Sequence, residues 1–414
     1  MAAMTTRESL AAVDAADPLA RHRDAFVLPA GVIYLDGNSL GPLPRATPGR
    51  LAEVVEREWG EGLIRSWNAA GWIDGPRRVG AKIATLVGAE ADEVMVTDST
   101  SVNLFKLLAA ALRLNPGRSV ILSEPENFPT DLYVAQGLVE LLGGRARLRL
   151  EPPERLAAGL TADTAVVLLT HVSYRSGAVH DMAALTAAAH DAGALVLWDL
   201  SHSVGALPVD LGKAGADLAV GCGYKYLNGG PGAPAFLYVA ERHHAGFHQP
   251  ITGWLGHAEP FAFESGYRPA PGLARALAGT PPILSLAALD VGVDTVLAAD
   301  PAALRAKSIA LGDLFIELVE ARAAGHGLAL LSPREAARRG SQVSFRHPHA
   351  YPLMQALIAR GVIGDFRAPD ILRFGLAPLY LRRVDVWDAV ETLVEVLEKR
   401  AWDRPEFMTR ATVT

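Results

Sequence analysis

The stretch that decides the fold is residues 221–232, with the sequence GCGYKYLNGGPG. It places Lys225 between two tyrosines in a glycine-rich turn that apolar segments flank on both sides. One interpretation of Lys225 is a flexible lysine that extends from a loop into solvent, which is what a lone lysine normally does. Partial burial, however, lowers the pKa of an amine and frees it for Schiff-base chemistry. The residues around Lys225 therefore decide between the two interpretations.

Alternating strands and helices are predicted on the amino-terminal side of this turn. Short apolar strands are expected at residues 94–96, 119–122, 146–150, 165–170 and 194–198. Helices are expected between them at residues 103–112, 131–142 and 182–190. Continuously apolar strands that alternate with helices indicate a mainly parallel sheet covered on both faces. The predicted fold class is therefore α/β.

The last third of the chain has a different pattern, which predicts a smaller α+β domain. Strands are expected at residues 342–346, 362–366 and 371–375, with helices at 351–360 and 386–397. The last of these helices is amphipathic, with its apolar residues at helical spacing. We expect the first 45 residues to pack with this unit. The prediction is a large domain over residues 46–283 and a small domain from residues 1–45 and 284–414.

Composition excludes several classes of protein. The 414 residues are 50% hydrophobic and carry 39 Lys+Arg against 45 Asp+Glu, a net charge of −6. This is too apolar for a disordered protein, and the mild acidity argues against nucleic acid or membrane as a partner. One cysteine, Cys222, excludes a disulfide framework and any CxxC site, and we predict no metal site. Without an apolar leader or membrane span, a cytoplasmic location is expected.

A carboxylate ends the strand predicted before the lysine turn. Asp199 follows the apolar run 194–198, and His202 lies three residues later. Ligands bind at the carboxyl ends of parallel strands, where Asp199 would pair with a pyridinium nitrogen and His202 would cover the same ring. The alternative is that Asp199 caps the segment that follows it.

Other strand ends supply groups for a phosphate and an aromatic ring. Thr100 and Ser101 lie between a strand and a helix, where hydroxyls and backbone N–H groups bind phosphate, although helix capping explains them nearly as well. Phe128 and Asp131 lie at a second strand-to-helix turn, and Thr170 ends a third strand. All of these ends meet at one edge of a parallel sheet. The sequence therefore predicts a single crevice with Lys225.

Arg373 interrupts the apolar strand at residues 371–375. A guanidinium at such a position needs an anion that matches its fork. A structural Asp or Glu is one candidate. Given the crevice, a substrate α-carboxylate is the prediction.

These residues lie in motifs that resemble the kynureninase family, within the aspartate-aminotransferase-like fold type I pyridoxal phosphate enzymes. The resemblance spans nearly the whole chain. Besides Asp131 and Arg373, it rests on the motifs YLDGNSLG at 34–41, WDLSHSVG at 198–205, YKYLN at 224–228, GWLGH at 253–257 and TPP at 280–282.

The resemblance implies roles for individual residues. Lys225 would attach the cofactor pyridoxal 5'-phosphate, Tyr224 would relay protons, Asp199 would bind the ring nitrogen and Phe128 would stack on the ring. Arg373, Ser39 and Trp67 would bind substrate. The remaining cofactor contacts would be Thr100, Ser101, Asp131, Thr170, His202, Tyr224, Trp254 and Thr280.

The implied activity is hydrolysis of the Cβ–Cγ bond of L-kynurenine to anthranilate and L-alanine. Acceptance of 3-hydroxykynurenine stays open, as does the choice between tryptophan catabolism and supply of a precursor for NAD biosynthesis. The family resemblance also implies a homodimer with shared active sites, to which Trp254 and Thr280 would contribute from the other subunit.

Several alternatives stay open. Within the fold they are an aminotransferase, a cysteine desulfurase and a non-catalytic binding protein; a desulfurase needs a mobile thiol, whereas Cys222 is expected to be buried. Ser39 matches the G-x-S-x-G pattern of serine hydrolases, but prolines follow it and the next helix is predicted to start with Thr47 as its cap. A dinucleotide loop at residues 230–235 would place Pro234 inside its helix.

Overall fold

A computed structural model describes residues 6–410, so residues 1–5 and 411–414 of the predicted small domain lie outside it. In chain order the strands are β1 (Phe26–Val27), β2 (Ile33–Tyr34), β3 (Leu43–Pro44), β4 (Val94–Val96), β5 (Val120–Ser123), β6 (Arg147–Leu150), β7 (Thr164–Thr170), β8 (Leu195–Asp199), β9 (Leu218–Gly221), β10 (Phe236–Val239), β11 (Ala329–Leu330), β12 (Gln342–Arg346), β13 (Val362–Ile363), β14 (Asp365–Arg367) and β15 (Ile371–Gly375).

The α-helices cover the sheets and form most of the remaining ordered structure. They are α1 (Arg7–Ala15), α2 (Thr47–Glu53), α3 (Ser66–Ala69), α4 (Gly75–Val87), α5 (Thr100–Leu114), α6 (Pro129–Leu141), α7 (Met182–Asp191), α8 (Leu211–Ala214), α9 (Ile283–Leu297), α10 (Pro301–Arg322), α11 (Ala350–Ile358), α12 (Arg383–Glu398) and α13 (Pro405–Met408). A π-helical stretch, Val54–Gly62, continues α2. Of the described helices, none is both long and apolar enough to cross a bilayer.

The large sheet has seven strands in the order β4-β10-β9-β8-β7-β5-β6. Only β10 runs antiparallel to its neighbours β4 and β9, and the other pairs are parallel. Every residue of β4, β5, β7, β9 and β10 is buried, because helices cover both faces. The mainly parallel α/β sheet predicted from the apolar runs is confirmed.

One predicted strand is wrong. Residues 362–366 form two short strands in different sheets, since β13 pairs with β2 while β14 pairs with β15. Gly364 separates them at a point where the backbone passes close to β15, and a Cβ there would lie 2.8 Å from the carbonyl oxygen of Arg373. The chain therefore changes partners at a residue without a side chain.

The first residues of the chain pack against its last third. Asp14 of α1 accepts hydrogen bonds from the backbone N–H groups of Arg383 (2.9 Å) and Val384 (3.0 Å) at the start of α12. The buried carboxylate of Asp17 pairs with the buried amine of Lys307 at 2.6 Å. These contacts, and β2 beside β13, join the amino-terminal segment to the small sheet β11-β12-β15-β14.

Helix α9 lies on the small-domain side of the predicted boundary at residue 284, yet it packs against α2 and α4. Lys82 of α4 bridges Asp290 (2.7 Å) and Asp294 (2.6 Å) of α9. This packing favours a boundary after α9. The division into two domains stays a prediction.

Gly80 sets how closely α4 approaches the sheet. A Cβ at this buried position would clash with the backbone carbonyl oxygen of Val94 in β4. We expect Gly80→Ala to lower the free energy of unfolding by about 1–3 kcal/mol, because the helix must move away from the strand. Chemical denaturation measures the change.

Gly137 provides the matched control, since it lies on the exposed side of α6 with no atom within 4 Å of a built Cβ. Gly137→Ala should raise stability by about 0.5–1 kcal/mol through the helix preference of alanine. Equal effects of the two substitutions would contradict the packing explanation.

Candidate active site

A cavity of about 210 Å³ lies at the carboxyl edge of the large sheet, where β7 and β8 end. It gathers residues from strand ends, helix starts and the lysine turn. Its lining consists of Thr100, Ser101, Phe128, Thr130, Asp131, Thr170, Tyr174, Asp199, Ser201, His202, Tyr224 and Lys225. The structure thus brings together most of the residues predicted as cofactor contacts, but not Trp254 or Thr280.

Lys225 is half-buried at this cavity rather than extended into solvent. Its Nζ lies 5.8 Å from the ring centroid of Phe128 and 5.9 Å from that of Tyr224. The turn is supported by Gly41, whose N–H donates to the carbonyl of Tyr224 at 2.8 Å. A side chain at Gly41 would clash with Asn228, so the 34–41 motif is packed directly against the lysine turn.

Asp199 ends β8 and is 2% exposed. Its Oδ1 accepts a hydrogen bond of 2.7 Å from the N–H of Ser201, so the capping interpretation holds for this oxygen. Burial raises the pKa of Asp199, and the Ser201 hydrogen bond and the charge of Lys225 oppose the shift.

Asp131 lies in the first turn of α6 and has no exposed surface. Neither of its carboxylate oxygens has a hydrogen-bond partner within residues 6–410. Burial, followed by the negative charge of Asp199, raises the pKa of Asp131 well above its ordinary value. A buried carboxyl group without partners is costly and indicates a group that binds there.

At the start of α5, the residue that caps the helix is different from the residues that line the cavity. Ser99 is the cap, and its hydroxyl accepts from the N–H of Val102 at 3.4 Å. Thr100 and Ser101 occupy the first helical positions, and their side chains line the cavity instead. Hydroxyls and free N–H groups at the start of a 15-residue helix favour an anion there.

Asn127 holds two of the cavity residues through one amide oxygen. Its Oδ1 accepts from the N–H of Phe128 at 2.7 Å and from the hydroxyl of Thr170. Its Nδ2 donates to the hydroxyl of Ser123 at 3.0 Å. The Phe128 ring also packs edge-on against Tyr174, with centroids 5.2 Å apart. These contacts fix the ring beside the lysine.

His202 and Tyr224 are both neutral in this environment. Burial lowers the pKa of His202 well below its ordinary value, and the positive charges of Lys225 and Arg373 lower it further. Burial raises the pKa of Tyr224. At neutral pH the tyrosine therefore keeps its proton, and the histidine has one protonated and one free ring nitrogen.

Arg373 is buried and has the acidic partner that was considered as an alternative. Its Nε donates to Asp365 Oδ1 at 2.8 Å, and Nη2 contacts both Asp365 Oδ2 and, at 2.8 Å, the hydroxyl of Ser39. Its Nη1 donates to the carbonyl of Tyr174, a cavity residue, at 2.8 Å. Arg373 and Ser39 thus adjoin the cavity without lining it, and their substrate role stays a prediction.

Trp67, Trp254 and Thr280 lie elsewhere, in an open cavity of about 760 Å³. They share it with large apolar side chains that are strongly exposed, of which Ile64 and Phe263 are each 78% exposed. No residue is common to the lining of this cavity and that of Lys225. Within one chain, the predicted site is therefore split between two places.

The hydrolase and desulfurase alternatives lose their structural basis. Cys222 is 2% exposed, and burial raises the pKa of its thiol. Ser39 is not followed directly by a helix, because α2 begins at Thr47. The cap of α2 is Ala46, so the prediction that Thr47 caps this helix is wrong.

Sequence reasoning missed several residues of the site. Thr130, Tyr174 and Ser201 line the cavity, and each follows closely after a strand or turn that had been identified. Position after a parallel strand was the signal that could have found them. Asn127 and Gln342 hydrogen-bond to residues that line the cavity, and no local sequence pattern predicts this role.

Asp36 lies in the charge cluster of Arg373, Arg367 and Asp365. Burial, followed by the charge of Asp365, raises the pKa of Asp36 to about 7, while both arginines oppose the shift. Its buried Oδ1 has no hydrogen-bond partner within residues 6–410. The carboxyl group therefore retains its proton well above the range of a free aspartate.

This raised pKa predicts a pH dependence of stability. Between about pH 4 and pH 7 the folded state holds a proton on Asp36 that the unfolded state has lost, so stability falls as the pH rises. Asp36→Asn should gain about 1–3 kcal/mol relative to wild type between pH 5 and pH 7. Urea denaturation at both pH values measures the difference.

Asp92→Asn, at an exposed position before β4, serves as the control and should show no such gain. If the difference in free energy of unfolding between Asp36→Asn and wild type stayed constant across this pH range, the raised pKa of Asp36 would be contradicted.

Comparisons with known proteins relate the chain to one family. Residues 304–393 match the family model of the kynureninase C-terminal domain. The chain is 58% identical to the kynureninase of Burkholderia mallei (strain SAVP1) and 55% identical to that of Pseudomonas fluorescens. Both alignments cover 99% of this chain and 100% of the relative.

Solved structures share the fold. A cysteine desulfurase from Thermococcus onnurineus NA1 has a TM-score of 0.75 at 22% identity, covering 96% of this chain and 100% of its own. A C-DES variant with glycine linked covalently to its PLP cofactor has a TM-score of 0.76 at 17% identity, covering 95% and 100%. These structures confirm the predicted fold type I class. Full-length identity above one half shows more: the chain belongs to the kynureninase family.

Proposed function

We propose that this chain is a pyridoxal phosphate enzyme that hydrolyses the Cβ–Cγ bond of L-kynurenine to anthranilate and L-alanine. The observation that carries the proposal is 58% identity to a named kynureninase over 99% of the chain. The cavity around Lys225 supports it, because an amine, two buried carboxyl groups and a helix start meet there. Tryptophan catabolism is the proposed setting.

The residues of the cavity fit pyridoxal phosphate. The unpartnered oxygens of Asp131, the buried carboxyl group of Asp199 and the start of α5 fit a ligand that carries a basic nitrogen and an anion. When bound, this cofactor supplies an electron sink for negative charge at the substrate Cα. Lys225 provides the amine for its attachment.

Each element then has a binding task. Asp199 pairs with the ring nitrogen, and its negative charge favours the protonated nitrogen. Phe128, fixed by Asn127, packs on the ring. Thr100 and Ser101 bind the phosphate with the N–H groups of α5. Asp131, Thr170 and His202 provide the remaining polar contacts around the cofactor.

Two residues of the lysine turn handle protons. The amine of Lys225 takes the proton from the substrate Cα. The hydroxyl of Tyr224, which burial keeps protonated, is proposed to give its proton to Cβ, which receives the electron pair when the Cβ–Cγ bond breaks. Water adds to the γ-carbonyl carbon, so anthranilate leaves as a carboxylic acid and alanine forms when Cβ is protonated.

The substrate carboxylate is proposed to bind beside Arg373 and Ser39. Asp365 already occupies two N–H groups of Arg373, but Arg367 adds a second guanidinium, 2.7 Å from Asp365 Oδ2. Two cations facing one strongly acidic group leave a positive balance. This balance suits the α-carboxylate of an amino acid.

A homodimer would bring the two parts of the site together. The open cavity with Trp67, Trp254 and Thr280 is also lined by exposed apolar side chains, including Phe261 (63%) and Ile64 (78%). Such surface favours an interface with a second copy, where these side chains would complete the partner's lysine cavity. We place the dimer in the cytoplasm, in keeping with the single free cysteine.

Replacement of the lysine tests the chemistry. Lys225→Ala should lower kcat by about 10²–10⁴-fold or more, because it removes the group that moves the Cα proton. Anthranilate fluorescence with L-kynurenine measures turnover, and the same assay with 3-hydroxykynurenine compares the substrates.

Lys213→Ala, at an exposed position of α8, is the matched control and should retain wild-type turnover. A wild-type protein that binds the cofactor but releases a keto acid or sulfide, without anthranilate, would show an aminotransferase or desulfurase instead.

Hybrid dimers test the shared site. Lys225→Ala and the double variant Trp254→Ala/Thr280→Ala should each be inactive alone. Unfolded and refolded together, they should recover about a quarter of wild-type activity, because half the dimers are hybrids with one intact site. An active double variant, or no recovery on mixing, would contradict sharing.

A further inference from the structure

Gln342 is a buried glutamine, 1% exposed, at the start of β12 in the small sheet. Its amide nitrogen donates to two backbone carbonyls, those of Tyr174 (3.1 Å) and Ser173 (3.3 Å). Carbonyl oxygens only accept hydrogen bonds, so the nitrogen must face them. The amide orientation is therefore fixed, and Oε1 points to the opposite side.

On that side, Oε1 lies 3.1 Å from Nδ1 of His202. An amide oxygen only accepts, so the proton of this hydrogen bond belongs to Nδ1. His202 is neutral because burial and two nearby cations disfavour its charged form. A neutral imidazole that carries its proton on Nδ1 has a free lone pair on Nε2.

We propose that Gln342 is a positioning residue that fixes His202 as the Nδ1–H tautomer and so presents Nε2 to the cofactor cavity as a hydrogen-bond acceptor. His202 lines this cavity with Lys225 and Asp199. No described residue hydrogen-bonds to Nε2. The ligand group opposite Nε2 is therefore a donor, such as the ring hydroxyl of a pyridoxal. The inference rests on the proposed function for the identity of that ligand only.

The same glutamine connects the histidine to the arginine cluster. The carbonyl of Tyr174 accepts from Gln342 Nε2 and also from Nη1 of Arg373 at 2.8 Å. The loop that carries this carbonyl packs on Gln342 at Gly177, which has a φ of +72° and whose Cβ would lie 2.8 Å from Cγ of Gln342. Gln342, on the small sheet, thus contacts His202 at the cofactor cavity and shares the carbonyl of Tyr174 with Arg373.

The histidine tautomer can be measured directly. In protein labelled with ¹⁵N-histidine, with and without pyridoxal phosphate, the His202 signals are assigned by comparison with His202→Gln. We expect a protonated Nδ1 and an unprotonated Nε2 from pH 6 to pH 9. Wild-type protein with the proton on Nε2 would overturn the proposal without any variant.

Two substitutions separate positioning from simple packing. Gln342→Met keeps the size but loses the acceptor, so His202 should lose its single tautomer and the pH dependence of the bound cofactor's absorption should shift. Gln342→Glu keeps an acceptor for Nδ1, so the Nδ1–H tautomer of neutral His202 should persist. The added negative charge should raise the pKa of His202. Retention of pure Nδ1–H in Gln342→Met would overturn the proposal.

Gln355→Met on α11 is the matched control, because Gln355 is half-buried and forms no hydrogen bond with His202. It should leave the His202 signals unchanged. The tautomer is read without turnover, so a protein that shows the expected signals but cleaves no kynurenine would refute the proposed function alone.

Discussion

Burial of two carboxyl groups beside one amine is the constraint on which the rest of the structure depends. Asp131 and Asp199 are almost fully buried, and the charge of Asp199 raises the pKa of Asp131 while Lys225 lowers it. Such a group of charges is unfavourable in a low dielectric unless its geometry is held firmly. The seven-stranded sheet and its covering helices provide this rigidity, and the site lies at the carboxyl ends of its parallel strands.

The large sheet could be predicted from the sequence because buried parallel strands are continuously apolar and end in polar residues. β4 coincides with the predicted residues 94–96, and β7 and β8 lie within one residue of their predicted bounds. The pairing of β13 with β2 could not be predicted, since it joins residues more than 300 positions apart through contacts that exist only in the folded chain. Local pattern contains no information about such a partner.

The same distinction applies to the site. Thr170, Asp199 and Lys225 could be grouped because the first two end strands of one sheet and Lys225 follows a third strand of it. Gln342 could not, because its importance arises from one amide that meets a histidine 140 positions away. Trp254 was assigned by resemblance, and the single chain places it apart from the lysine. Within its own chain Trp254 packs against Phe261, and only the proposed dimer would bring it to a lysine cavity.

The arginine cluster explains why a buried Asp365 does not exclude an anionic ligand. Arg373 and Arg367 both contact Asp365, whose pKa is lowered by them, whereas Asp36 keeps its proton up to about pH 7. Below that pH the cluster holds two positive charges and one negative charge. An amino-acid carboxylate would restore neutrality, and Asp365 would hold the guanidinium planes in place for it. The acidic partner and the substrate are then complementary rather than competing occupants of the same arginine.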